Sequence, residues 1–225
     1  MGRYDRNFKT ISIDEQERLS KSKVCVIGCG GLGGYIIEML GRVGVGYITA
    51  VDKDIFEESN LNRQILADMN SLGKSKALTA QERMKIVNPL VTVHPVQEEF
   101  SLENAQEILD GHDVVVDALD SLQARFNLQT AAEASNIPIV HGAIAGWFAQ
   151  ITTIMPGDKT ISKIYRDPGR KGAEKELGNP AFTPALAASI QVSEVVKLLL
   201  GKGEILRNKM LFVNLLEQKY EIIDL

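Results

Sequence analysis

A glycine-rich turn set between an apolar run and a helical repeat restricts this chain more than any other feature. Residues 23 to 27, Lys-Val-Cys-Val-Ile, are nearly continuous in apolar character and stop at Gly28, and residues 32 to 43 then carry apolar side chains at helical spacing. Between them lies Gly28-Cys29-Gly30-Gly31-Leu32-Gly33-Gly34, which matches G-x-G-x-x-G at a strand-to-helix junction. In that setting glycines let the backbone approach a phosphate while the helix N–H groups face it. A second apolar run over residues 45 to 51 ends at Asp52 and completes a βαβ unit of about thirty residues, the length at which a helix joins two parallel strands. Asp52 stands where a carboxylate can accept hydrogen bonds from ribose hydroxyls.

The alternation continues. Residues 74 to 87 read as a helix that stops at Asn88-Pro89, because proline disfavours a helical residue before it. Residues 91 to 96 read as a strand, 102 to 109 as a helix, 113 to 117 as a buried strand, 122 to 135 as a helix and 137 to 141 as a strand. This predicts an α/β fold, doubly wound and Rossmann-like, with a mostly parallel sheet. Residues 147 to 155 turn β-like, and 156 to 183, rich in Gly, Pro, Lys and Asp, read as a long crossover loop of the functional kind. Residues 184 to 200 read as an amphipathic helix ending at Gly201, and 209 to 223 as two strands around Leu216-Glu217, an antiparallel C-terminal extension. We read 1–225 as one domain with a helical arm over 1–22, a nucleotide-binding core over 23–155, the crossover loop over 156–183, and a helix and strands over 184–225.

Composition narrows the function classes. With 225 residues, 44% hydrophobic and 24% charged, the chain can bury a full core, and disorder is not expected. The net charge is −4 without a run of like charge, which argues against a nucleic-acid surface. The polar N-terminal stretch and the absence of a long uninterrupted apolar run predict a soluble, cytoplasmic protein without membrane contact. Cys25 and Cys29 are the only cysteines, four apart in a strand and its turn, unsuited to a disulfide or a zinc framework.

The stretch from Asp52 through Asp54, Asn60 and Arg63 to Gln64 resembles the ubiquitin-activating-enzyme-like family, whose bacterial members include the ThiF, MoeB and HesA proteins. Five motifs carry the resemblance along almost the whole chain: Arg-Tyr-x-Arg at 3 to 6, the glycine turn, D-x-D with S-N-L-x-R-Q, G-x-x-K-A at 73 to 77, and Asp120 in A-L-D-S. The resemblance implies an ATP-dependent adenylyltransferase that activates the C-terminal carboxylate of a small ubiquitin-like sulfur-carrier protein ending in Gly-Gly. It implies that Gly28, Gly30, Gly31, Gly33, Asp52, Asp54, Asn60, Arg63 and Lys76 bind nucleotide, that Asp120 holds Mg2+, and that Arg6 reaches a neighbour's ATP site in a homodimer. Chemistry agrees: adenylation must neutralise a triphosphate, a task for a planar Arg63 and a compact Lys76. Asp117 is read as structural, His141 as a hydrogen-bonded strand-end histidine, and Trp147 and Phe148 either as surface contacts for a second subunit or carrier or as core.

The chain also departs from that family. Many relatives bind a structural zinc through two CxxC pairs, and some carry a thioester- or persulfide-forming cysteine in the crossover loop. No cysteine follows Cys29 here. No zinc is therefore expected, the chemistry is expected to stop at the adenylate with a separate sulfur donor, and something else must order the C-terminal region. Two rivals remain: an NAD-dependent oxidoreductase on the same core, and a non-catalytic carrier-binding scaffold. The first leaves Asn60, Arg63, Lys76 and Asp120 without roles.

Overall fold

The structure, a computed structural model, describes residues 2–165 and 174–225. The chain opens with α1 (Ile13–Lys21), started by a reciprocal cap in which Ser12 Oγ accepts from the Glu15 N–H and Glu15 Oε2 from the Ser12 N–H. There follow β1 (Lys23–Ile27), α2 (Gly31–Val43), β2 (Tyr47–Val51), α3 (Lys76–Val87), β3 (Thr92–Val96), α4 (Ala105–Leu109), β4 (Val114–Asp117), α5 (Leu122–Ala134), β5 (Ile139–Ala145) and β6 (Phe148–Ile154). The chain closes with α6 (Thr160–Ile164), α7 (Glu174–Leu177), α8 (Phe182–Leu200), β7 (Lys209–Asn214) and β8 (Lys219–Asp224).

All eight strands form one sheet in the order β3-β2-β1-β4-β5-β6-β7-β8. The first five run parallel and the last three antiparallel, as the sequence reading expected. Alternation along β1 divides the core: Val24 and Val26 face the layer of α1, α2, α3 and α8, while Cys25 and Ile27 face α4, α5 and α6. Ile27 pairs with both Val51 and Asp117, so the carboxyl ends of β1, β2 and β4 lie level. The chain leaves β1 toward β2 and β3 on one side and returns to β4 and β5 on the other, so the reversal of strand order opens a crevice at those ends.

Several boundaries move for local reasons. The apolar run at 45 to 51 enters the sheet only at Tyr47, because Gly44 ends α2 at φ 95° and the Val45 N–H still caps it by donating to the Leu40 carbonyl at 3.0 Å. The helix expected from 102 begins at Ala105, since Asn104 Oδ1 takes the Ser101 N–H at 2.9 Å in a side-chain turn. The stretch 156–183 is not a loop throughout: it contains α6, α7 and the start of α8, while residues 166–173 of that expected loop lie outside the described residues.

Helix α8 holds the two halves of the sheet together. Its mean hydropathy of 1.3 over 19 residues matches that of a spanning helix, but half of it is buried against the sheet and α2. Buried polar side chains tie it in: Gln191 Nε2 donates to the Asp117 and Val140 carbonyls, and Glu194 Oε2 accepts from Thr153 Oγ1 at 2.6 Å and the Leu206 N–H at 2.7 Å. On the same side, Glu38 of α2 takes Arg42 and, at 3.0 Å through both nitrogens, Arg83 of α3, tying these helices.

What orders the C-terminal hairpin is a set of direct contacts. Arg207 grips both oxygens of Asp158 at 3.0 Å, and Lys163 Nζ donates to the Leu225 carbonyl at 3.3 Å. Asp158 is held below its ordinary carboxyl range, first by the Arg207 hydrogen bonds. A lowered folded value means that the stabilisation is complete above the unfolded carboxyl range and disappears as pH falls through the folded value. Asp158→Asn is therefore expected to lower the melting temperature at pH 7 by about 2 °C, the scale of an ion pair with one half-exposed member, and the gap to the parent should close on acidification to below pH ~3. A gap that stays constant with pH would show that the ion pair is not the source.

Candidate active site

The crevice is a cleft of about 1280 Å³ whose lining includes the glycine turn, the segment 52–64, Lys76, the 118–122 turn and the inner ends of β5 to β7. Two glycines make its floor possible. Gly28 sits at φ +99°, and a Cβ on Gly33 would lie 1.7 Å from the Gly28 carbonyl oxygen, so α2 can cross the end of β1 only without a side chain there. Gly30 is the N-cap of α2 with no side-chain cap and no acidic residue in the first turn, so the positive end of the helix dipole faces the cleft. Gly31 lies beneath Arg63, whose Cγ, Cδ and Nε would be 3.8 Å from a Cβ at that glycine.

Asp52 closes the other side of the turn. Its Oδ2 accepts the Cys29 N–H at 2.7 Å and its Oδ1 the Asp54 N–H at 2.8 Å. Burial nevertheless pushes its carboxyl up, the two N–H bonds only partly offsetting this. The Asp54 carbonyl accepts the Lys76 N–H at 3.0 Å, and its carboxylate is the ion-pair partner of Lys76 at 3.4 Å. Lys76 is only 7% exposed, so a buried ammonium in a phosphate-sized cleft has one long contact to an exposed carboxylate. Asn60 is buried with Oδ1 on the Glu57 N–H, and Arg63 is steered by donation to the Ser59 carbonyl at 3.0 Å and to Asn62 Oδ1 at 2.9 Å.

Asp120 stands exposed in the cleft lining just past β4, with no hydrogen bond or ion pair among the described residues. Those residues contain no group of three or more His, Cys, Asp or Glu able to cage a metal alone. One free carboxylate beside a phosphate cradle suits Mg2+, which takes one or two carboxylates with phosphates and water. Arg6 is not in the cleft of its own chain. Arg3 and Tyr4 dock the arm, through the Val87 carbonyl and Asn88, and Arg6 lies exposed beyond them.

Other residues find different surroundings. Asp117, 1% exposed, and His141, 0% exposed, meet at 2.6 Å beneath the cleft. Burial holds His141 below its ordinary value and hence neutral, while burial would raise Asp117 but for the His141 hydrogen bond and the nearby Arg125, which leave it lowered and ionised. Trp147 is 42% exposed and leans on Phe182, and Phe148 lines the cleft and stacks on Phe212, so neither is a core residue. Cys25 and Cys29 are buried, and burial raises both thiols well above their ordinary values.

Gln64, Arg125, Gln150 and Tyr165 also line the cleft, and the sequence assigns them no role. Gln64, 5% exposed, has a buried Oε1 without a hydrogen-bond partner, and its place at the end of S-N-L-x-R-Q was the available signal. Arg125 and Tyr165 reach the cleft from α5 and from the stretch after α6, and no local pattern marks them.

Known proteins resemble this chain along nearly its whole length. The SAMP-activating enzyme E1 of Haloferax volcanii is 35% identical over 227 residues, covering 97% of this chain and 84% of that protein. The sulfur carrier protein adenylyltransferase of Thermus thermophilus is 34% identical over 233 residues, covering 98% of this chain and 85% of that protein. Among solved structures, E. coli MccB with ATP shares the fold, with a TM-score of 0.83 at 23% identity over 99% of this chain and 70% of that one. The ThiF family model matches residues 4–225, and with the glycine turn, the cationic pair and the free Asp120 in one cleft, the chain belongs to the ThiF family.

Proposed function

We propose that this protein adenylates the C-terminal carboxylate of a small ubiquitin-like sulfur carrier ending in Gly-Gly, consuming ATP and releasing pyrophosphate. The observation that carries this is Lys76: a buried ammonium whose ion pair to Asp54 is long, at 3.4 Å, lining one cleft with Arg63 and the uncapped N-terminus of α2. Such a cluster is electrostatically incomplete until an anion with several charges fills it. The name of the Thermus relative, a sulfur carrier protein adenylyltransferase, supports the acceptor class, and the Haloferax relative is likewise named for activation, as a SAMP-activating enzyme E1. An oxidoreductase reading gives the cationic pair and Asp120 no role, and a silent scaffold has no use for them.

In this reading Asp52 accepts from the ribose hydroxyls, and the glycine turn and the first turn of α2 receive the phosphates. A carrier carboxylate oxygen attacks the α-phosphorus, the bond from that phosphorus to the bridging oxygen breaks, and pyrophosphate leaves with the electron pair. The product is an acyl adenylate. Its nucleophile is already ionised at neutral pH, so no general base is required. Arg63 and Lys76, with Asn60 beside them, stabilise the charge that builds on the leaving group, the arginine as a fork and the lysine as a point charge. Mg2+, held by Asp120, supplies further neutralisation of the phosphates. No thiol of this chain forms a conjugate, because both lie buried and protonated. Sulfur then comes from a separate donor, no zinc takes part, and the enzyme works in the cytoplasm as a homodimer.

Four experiments test this. ATP with Mg2+ should raise the melting temperature while NAD(H) does not. ATP–pyrophosphate exchange should depend on a Gly-Gly-ending carrier and fall below detection in Asp120→Ala, whose melting temperature without nucleotide stays near that of the parent. Normal exchange in that variant at saturating Mg2+ would remove Asp120 from the site. Arg63→Ala and Lys76→Ala should each lower turnover about 100-fold or more, the scale of losing one donor to developing charge, and Arg63→Lys should restore it only in part. Full turnover in either alanine variant would make that residue a solvated surface charge. Finally, mixing inactive Arg6→Ala with inactive Asp120→Ala subunits should recover activity, because one site of the mixed dimer joins an intact metal ligand to a partner's arginine. A mixture that exchanges subunits and stays inactive excludes Arg6 from acting across the interface.

A further inference from the structure

Beneath the cleft lies a buried polar chain that carboxylate attack on phosphorus does not call for. His141 Nδ1 is 2.6 Å from Asp117 Oδ2, and its Nε2 is 3.2 Å from the Tyr165 hydroxyl. That hydroxyl also accepts from Gln150 Nε2 and, at 3.2 Å, from one terminal nitrogen of Arg125. A neutral His141 with its proton on Nδ1 fits these contacts: it donates to Asp117, Tyr165 donates to Nε2, and the tyrosine oxygen accepts from Arg125 and Gln150. Since the nucleophile arrives ionised, this chain has no proton to deliver, and its purpose must be placement.

Arg125 connects it to the site. Buried at 7% exposure on α5, its guanidinium has Nε 3.6 Å from Asp117 Oδ2, one terminal nitrogen on Tyr165 and the other donating to the Leu119 carbonyl at 2.6 Å. Asp117 Oδ1 accepts the Leu119 N–H at 3.0 Å. Both polar groups of the Leu119 backbone are therefore held, and the next residue is Asp120, whose side chain makes no hydrogen bond or close ion pair among the described residues. A lone carboxylate on a turn has rotational freedom that dilutes its affinity for a cation, and fixing the preceding peptide removes part of it.

We infer that Arg125, braced by Asp117 and Tyr165, is a positioning residue that fixes the turn at Leu119 so that Asp120 is presented to a divalent cation on the ATP phosphates. This rests on the assignment of Asp120 to the metal made above. A lysine cannot replace it, because one ammonium cannot reach the Tyr165 hydroxyl and the Leu119 carbonyl in a fixed fork while lying against Asp117.

The test is Mn2+ binding, followed by electron paramagnetic resonance, to the enzyme saturated with α,β-methylene ATP. The parent, Asp120→Ala, Arg125→Lys and Tyr165→Phe are compared, each also titrated with the nucleotide alone. Arg125→Lys should weaken Mn2+ about 10- to 100-fold, the scale for residues that orient a metal ligand, with metal-free nucleotide affinity unchanged. Tyr165→Phe should weaken it in the same direction by less. If Asp120→Ala loses Mn2+ but both other variants bind it like the parent, with only a lower melting temperature, Arg125 is a packing residue and the inference is overturned. Should Arg125→Lys fail to fold, Tyr165→Phe decides alone, and parental Mn2+ affinity there overturns the inference. Parental affinity in Asp120→Ala would instead remove the metal assignment beneath it, a separable outcome.

Discussion

The site depends on one close crossing of backbone. The N-terminal turn of α2 passes over the end of β1 at a distance that leaves no room for a β-carbon on Gly33, since the Gly28 carbonyl already occupies that space. The crossing aims the free N–H groups of α2 into the cleft and brings Asp52, at the end of the neighbouring strand, against the Cys29 N–H. A side chain at Gly33 would push the helix away and separate the two halves of the nucleotide site at once. Chemistry and fold share this constraint, because the same contact sets the packing of α2 on α8 and on the sheet.

Charge is distributed around that crossing with unequal mobility. On one side the Glu38 cluster ties α2 to α3, so the helix dipole and Lys76 belong to one block. On the other side half-buried Arg63 and exposed Asp120 sit on turns, the first steered by neighbouring carbonyls and the second only through the Leu119 peptide before it. In the proposed function, a grip with one stiff side and one adjustable side binds the triphosphate first and leaves the adjustable side to respond as charge moves from ground state to transition state.

Much of this was legible in the sequence where local chemistry decides. The glycine turn, Asp52, the S-N-L-x-R-Q run and Lys76 announce themselves because each needs a particular residue type at a fixed offset from a strand end. The parallel core was readable from apolar runs alternating with helical spacing, and the antiparallel close from two short strands around Leu216-Glu217. Boundaries failed where a single tertiary or capping bond overrides the pattern, as at Val45, which is apolar and buried yet belongs to the end of α2. Arg125, Tyr165 and Gln150 could not be found because they lie on three separate elements and converge only through the order of β4, β5 and β6. The Asp158–Arg207 pair was invisible for the same reason: 49 residues separate its members.

The open sheet has a consequence for how this molecule coexists with copies of itself. A sheet that is not closed into a barrel ends in two rims of unused peptide groups, each able to template growth by strand addition. Here β3 carries Pro95, which offers no N–H, and β8, exposed along its whole length with Ile222 and Ile223 in it, carries Lys219, Glu221 and Asp224. Proline denies a hydrogen bond on one rim, and on the other an approaching strand would have to strip water from three charges. The sheet is thereby capped at eight strands by solvation chemistry at its margins, and the apolar residues that β8 leaves in water remain usable without becoming sites of runaway self-assembly.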